Sequence, residues 1–209
     1  MMRSLLSVLF LLPVLARAEE PVVLVLGDSL SAGYGLSQGR GWVSLLDQRI
    51  REKGYPYGVV NASVSGDTTA GGLTRLPSLL QRGRPAVLVI ELGANDGLRG
   101  LRLDEIEGNL TRLIDLGRAA GSRVLLIGVR LPPNYGAAYT ERFQAVFREV
   151  AKRKQVPLVP QLLAGVAEHW NLMQADGLHP IAEAQPRLLD NVWPALEPLI
   201  QGPASAAAR

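Results

Sequence analysis

Two rhythms of apolar residues alternate along the chain. Short, mainly apolar, strand-like runs occur at residues 22–26, 58–61, 86–92, 123–129 and, more weakly, 156–159. Runs of this length, rich in Val, Leu and Ile and closed by Gly, Pro or polar residues, predict strands covered on both faces, as in a parallel sheet. Between them the apolar residues recur at helical spacing. Trp42, Leu45, Leu46 and Ile50 stripe a helix over 42–53. Ile106, Leu110, Leu113 and Ile114 stripe another running to Ala119, for which Asp104 is the expected cap, with Glu107 three residues on as in a capping box. Phe143, Val146, Phe147 and Val150 mark a helix over 139–153, and Leu188, Leu189, Val192 and Leu196 one over 184–200. Strands alternating with helices imply βαβ units with right-handed crossovers, hence one three-layer α/β/α domain over residues 19–201. The Ala/Ser-rich segment 202–209 is expected to be a frayed, flexible tail.

The first eighteen residues follow neither rhythm. Arg3 provides a positive start, residues 4–15 an apolar stretch, and Ala16-Arg17-Ala18 a small-residue cleavage site. That layout predicts a secretory signal peptide over 1–18, cleaved after Ala18. The apolar stretch is shorter than the roughly 20 residues that span a bilayer, so no stable membrane anchor is expected. The mature chain is then periplasmic or secreted. The leader also carries two of the 22 basic residues that give the chain its net charge of +3, and without them 20 face 19 acidic residues. No basic stripe interleaved with aromatics is present, which excludes a case for nucleic acid. The absence of cysteine excludes disulfides, thiol nucleophiles and a lipidated cysteine anchor.

Candidate chemistry gathers at the ends of the predicted strands, where open parallel sheets bind their ligands. Ser29 follows the first strand in Gly27-Asp28-Ser29-Leu30. The loop 62–69, Ala-Ser-Val-Ser-Gly-Asp-Thr-Thr, follows the second, and Gly93-Ala94-Asn95-Asp96-Gly97 the third. Asp176-Gly177-Leu178-His179-Pro180 lies before the last helix. Acyl transfer needs a nucleophile, a base, a group that fixes the base, and donors for the oxyanion. Ser29 can be the nucleophile, His179 its base and Asp176 the group that holds the imidazole. Gly66 and the backbone of Ser29 suit N–H donation to an oxyanion, and Asn95 suits side-chain donation. Asp28 reads as a turn-positioning residue. Asp67 and Asp96 have no His or Cys beside them and read as loop hydrogen-bonding groups, not metal ligands. His169, beside Trp170, reads as a surface or packing residue.

These blocks resemble those of the GDSL, or SGNH, hydrolase family. The resemblance is closer to its exported, TesA-like thioesterase I / lysophospholipase / arylesterase branch. It rests on the run from Gly27 to Gly35, on 61–69, on Leu131-Pro132-Pro133-Asn134-Tyr135-Gly136, and on 175–180. It implies Ser29, Asp176 and His179 as the catalytic set, and Ser29, Gly66 and Asn95 as the oxyanion hole. It further implies a flavodoxin-like five-stranded parallel sheet in order 2-1-3-4-5, with no metal and no organic cofactor. The segment carrying Asn134 and Tyr135 resembles a mobile loop that closes over the acyl chain. Ile181 departs from the pattern, since a polar residue is expected after His179-Pro180. The function so implied is hydrolysis of small acyl esters and thioesters of fatty acids, by a chain expected to be monomeric. The alternatives are a carbohydrate-ester deacetylase on the same machinery and a noncatalytic acyl-binding module.

Overall fold

Val23, Val25 and Leu26 have no solvent exposure, because the strand they form lies in the middle of a sheet covered on both sides. The computed structural model describes residues 20–202, the side chain of Pro133 excepted. The leader expected at 1–18 and the tail from residue 203 onward lie outside the described residues. The strands are β1 (Val22–Gly27), β2 (Gly58–Asn61), β3 (Val87–Glu91), β4 (Arg123–Ile127) and β5 (Leu158–Val159). All pair in parallel, in the order β2-β1-β3-β4-β5. This is the order expected above. The helices are α1 (Ser29–Ala32), α2 (Trp42–Glu52), α3 (Thr69–Gly83), α4 (Ala94–Leu98), α5 (Leu103–Ala119), α6 (Ala137–Lys154) and α7 (Gln185–Gln201).

Helices α3, α5 and α6 pack side by side on one face of the sheet, and α2 pairs with α7 on the other. The four apolar residues that stripe α5 are wholly buried, as are Phe143, Val150, Leu188, Val192 and Leu196 of α6 and α7. The start of α5 differs from expectation. Its cap is Arg102 and the helix begins at Leu103, so Asp104 lies inside the first turn. There its carboxylate is held by the guanidinium of Arg102, at 3.0 Å from Nε, instead of capping backbone N–H groups. Glu107 pairs with Arg153 of α6 at 2.6 Å, so it braces two helices and closes no capping box.

The sheet order reverses direction at β1, which sends one connection to β2 and the next to β3. The loops after β1 and β3 therefore diverge and leave a crevice between them, as open parallel sheets do. Ser29 opens the short helix α1 on one side of it, and Asn95 is the second residue of the short helix α4 on the other.

Candidate active site

The chain turns sharply from β1 into α1. Gly27 has no room for a side chain, since a Cβ there would stand 2.8 Å from Ser31 Oγ and 2.9 Å from Glu91 Oε2. Asp28 caps the turn as expected: its Oδ1 accepts the Leu30 N–H at 3.0 Å. Ser29 is thus presented, half-buried, at the carboxyl edge of the sheet.

The residues 150 positions away come to meet it. His179 Nε2 lies 2.8 Å from Ser29 Oγ, and His179 Nδ1 lies 2.6 Å from Asp176 Oδ2. The other Asp176 oxygen accepts the backbone N–H groups of Leu178 and His179 at 2.9 and 3.0 Å. With Nδ1–H directed at Asp176, Nε2 is left to accept the serine proton, so the network assigns this tautomer. Desolvation works to raise the Asp176 carboxyl. The His179 ring and the two N–H donors outweigh it and bring the carboxyl down to about 2, so it is anionic at any working pH.

The histidine loop is fastened to the serine side through Gln174 and the Tyr34 ring. Gln174 Nε2 donates to Tyr34 O and Pro180 O at 2.9 and 3.1 Å. The Tyr34 ring lies against the imidazole with centroids 4.5 Å apart. Ile181, the departure noted in the sequence, donates its N–H to Leu172 O at 2.9 Å and packs against the core, so an apolar side chain serves there.

Asn95 Nδ2 donates to Asp28 Oδ2 at 3.1 Å and to Asp67 O at 2.9 Å. Its amide is therefore aimed between the loops after β1 and β2. Gly93 before it has φ of 120°, and a Cβ there would also strike the Phe147 ring at 2.9 Å, so glycine is needed. Gly66 is exposed with φ of 80°, and Arg99 Nη2 donates to its carbonyl at 3.0 Å. Gly66 thus stands on the rim rather than in the cavity wall. Asp96 and Asp67 have structural partners. Buried Asp96 accepts the N–H and hydroxyl of Thr69, and Asp67 accepts the Thr68 N–H and pairs with Arg75. His169 is exposed.

A cavity of about 400 Å³ opens beside Ser29 and His179. Leu98, Val129, Leu131, Leu163 and Met173 form its apolar walls. From the 131–136 segment, Leu131 and Pro132 reach the cavity. Asn134 is exposed, and Tyr135 is turned away to donate its hydroxyl to Leu98 O at 2.9 Å.

One residue of the site was not anticipated. Glu91, the last residue of β3, is wholly buried behind the turn that carries Ser29. Its Oε2 accepts the Ser31 hydroxyl at 2.7 Å and, at 3.5 Å, the Asp28 N–H, while Oε1 is sealed in without a partner among the described residues. Burial, reinforced by the neighbouring Asp28, drives its carboxyl well above the ordinary range. Burial likewise raises Asp28 to about 6, against the bonds from Leu30 and Asn95 and the nearby His179 that pull it down. The signal for Glu91 was a single acid ending a run otherwise apolar on both faces.

In sequence and fold the chain is similar to known enzymes. The model of the GDSL-like lipase/acylhydrolase family aligns with residues 25–185. The chain is 53% identical over 184 residues to a protein of Pseudomonas aeruginosa named esterase TesA, covering 88% of this chain and 92% of that one. It is 43% identical over 183 residues to the thioesterase 1/protease 1/lysophospholipase L1 of Escherichia coli strain K12, covering 88% and 86%. The crystal structure of the psychrotrophic esterase EstA from Pseudoalteromonas sp., inhibited by monoethylphosphonate, superposes with a TM-score of 0.82 at 38% identity. That match covers 87% of this chain and 99% of the other. By sequence along most of its length and by fold, this chain belongs to the GDSL-like lipase/acylhydrolase family and is a serine ester hydrolase.

Proposed function

We propose that Ser29 is the acylated nucleophile of this hydrolase, that His179 and Asp176 activate it, and that its substrates are fatty acyl esters and thioesters met after export. The observation that carries the reading is the hydrogen-bonded line from Ser29 Oγ through His179 to Asp176. Ser29 Oγ adds to the acyl carbonyl carbon as its proton passes to His179 Nε2. The carbonyl oxygen becomes an oxyanion, held by the Ser29 and Gly66 N–H groups and the Asn95 amide. His179 then returns the proton to the departing alkoxide or thiolate, leaving an acyl-Ser29 ester. Water, deprotonated by the same imidazole, cleaves that ester and frees the acid. Asp176 keeps the ring in place and offsets the imidazolium charge formed in each step.

Although Arg130, Gln161 and Glu168 also line it, the cavity wall is mainly apolar, which favours a hydrocarbon acyl group over an acetylated sugar. Esterase, thioesterase and lysophospholipase are the names borne by the relatives, and all three activities share the acyl half. Among the described residues no helix is long and apolar enough to cross a membrane. Export rests on the leader read in the sequence.

The test is hydrolysis of p-nitrophenyl esters from acetyl to long chain, by the mature protein and by Ser29→Ala. The expected result is parent turnover that rises beyond acetyl and a loss of about 10⁴-fold or more in the variant. Equal turnover in both proteins would remove Ser29 from the mechanism. A maximum at acetyl, with acetylated sugars better still, would replace the fatty-acyl reading with the deacetylase.

A further inference from the structure

Six large apolar or aromatic side chains are exposed among the described residues: Tyr34, Val60, Val64, Leu101, Trp170 and Leu178. Exposed apolar residues scattered singly over a surface are normal. These are not scattered. Tyr34, Val64 and Leu101 lie in the connections that leave the carboxyl ends of β1, β2 and β3, and Trp170 and Leu178 lie in the segment that brings His179 to the same edge. Val60 is in the second half of the edge strand β2. The amino edge of the sheet carries none of the six.

Four of them frame the mouth of the cavity. The Tyr34 ring lies against the imidazole of His179, yet the residue is 53% exposed. Leu178 lines the cavity. A Cβ on Gly177, next to it, would stand 2.9 Å from the Trp170 ring, so the indole rests on the same loop while remaining 70% exposed. Val64 stands on the serine side, where its N–H donates to Gly27 O at 3.0 Å. Tryptophan and tyrosine combine an apolar body with a polar tip, which suits the boundary between water and hydrocarbon. Two charged residues, Arg130 and Glu168, also line the cavity and are exposed. Neither has an ion-pair partner among the described residues. A zwitterionic phospholipid offers a phosphate to the one and an ammonium group to the other.

Resting on the reading that this cavity takes fatty acyl chains, we propose that its rim docks reversibly on the surface of a zwitterionic phospholipid layer. Tyr34, Val64, Trp170 and Leu178 enter the boundary between headgroups and acyl chains, Arg130 meets phosphates and Glu168 meets ammonium groups. Docking sets the cavity mouth on the layer that holds acyl chains, so that a substrate passes from lipid to cavity without crossing water. A lipid layer suits this position better than a protein partner, because a protein seated around the mouth would seal Ser29 from its substrate. Exposed apolar patches rimmed by polar groups are the usual mark of such contacts.

The test uses vesicles of a diether phosphatidylcholine, which has no ester to cleave, so that docking is measured apart from turnover. The mature parent, Val64→Ser and the double variant Val64→Ser/Trp170→Ser are floated with the vesicles, and their tryptophan emission is followed. Trp42 is wholly buried and Trp193 nearly so, so a shift of emission reports Trp170. The parent should float with the vesicles and its emission should move to shorter wavelength. Val64→Ser, which leaves the histidine loop intact, should bind about 3-fold more weakly, and the double variant at least about 10-fold more weakly. Circular dichroism checks that both variants are folded. A parent that does not float at millimolar lipid, or folded variants that bind as tightly as the parent, would overturn the proposal and leave the esterase reading standing. A parent that instead forms a Trp170-dependent dimer would also overturn it and assign the rim to a second copy. Failure of the parent to hydrolyse even p-nitrophenyl acetate in a Ser29-dependent way would overturn the esterase reading, and this proposal with it, whatever the vesicles showed.

Discussion

Asp28 precedes Ser29, the proposed nucleophile, yet its two carboxylate oxygens are engaged elsewhere. One oxygen fixes the Leu30 N–H and the other the Asn95 amide, so the turn holding Ser29 and the side chain proposed to hold the oxyanion share one anchor. Asparagine in its place has a single acceptor oxygen and must present an NH₂ group to one of those two donors. Asp28→Asn is therefore expected to misdirect Asn95. Removing an oxyanion donor outright costs about 10²–10³ in turnover, so loss of its aim should lower kcat by roughly 10-fold or more, with KM little changed. Steady-state kinetics on one ester tests this, and an unchanged kcat would show that Asn95 is held by Asp67 O alone. The catalytic candidates were legible as residue types in short blocks. The hold of Asp28 on Asn95 was not, because it joins residues 67 positions apart through side-chain orientation. Glu91 was hidden for a related reason: a strand pattern tells which residues are buried but not which of them stands behind the serine turn.

At the scale of elements, helices with regular apolar stripes could be read, and α3 could not. Its sequence holds Gly71, Gly72 and Pro77, which weaken a helical pattern in isolation. The structure supplies what the pattern lacks. Thr68 caps the helix by accepting the Gly71 N–H at 3.1 Å. Gly72 lets the backbone lie against the sheet, where a Cβ would stand 2.4 Å from Leu92 Cδ1. Helix α5 offers a controlled comparison of the same effect. At Gly117 a Cβ would meet Leu88 Cδ2 at 2.6 Å, whereas at Gly108 nothing lies within 4 Å. Gly117→Ala overpacks the sheet and should destabilise by about 1–3 kcal/mol. Gly108→Ala is a helix-interior change in open space and should stabilise by about 0.5–1 kcal/mol. Urea unfolding of both variants settles the matter, and a destabilised Gly108→Ala would mean that the exposed face of α5 packs against something not seen here. The misplaced start of α5 has the same origin. Asp104 has the composition of a cap, but an adjacent guanidinium offered its carboxylate a closer partner.

At the scale of the molecule, the site occupies the reversal point of the sheet, which strand order alone made legible once the βαβ alternation was recognised. What strand order does not convey is that two carboxyls lie beneath that crevice, and they set a pH dependence for the whole fold. Asp28 is raised from 3.8 to about 6 and Glu91 is raised well above 4.5. For a raised carboxyl the unfolded chain loses its proton first. Its contribution to stability is whole below the unfolded value and is lost as pH rises through the folded value. Asp176, lowered to about 2, has the opposite sign, and its contribution disappears only as pH falls below 3.8; at its exposed position solvent screening keeps that contribution small. Asp28 is half ionised near pH 6 and has largely completed its titration about one unit higher, and beyond that point, of these three groups, Glu91 alone still sets a slope. Glu91→Gln keeps an acceptor for the Ser31 hydroxyl and remains neutral at every pH, so it removes that slope. The parent should lose up to about 1.4 kcal/mol per pH unit in this range, or roughly 3–5 °C in Tm, until Glu91 itself ionises. The variant should lose much less, so that the two melting curves converge on the acid side and part on the alkaline side. Calorimetry of both proteins from about pH 6 to pH 9 measures this, and parallel Tm profiles would show that Glu91 is already ionised in the folded chain.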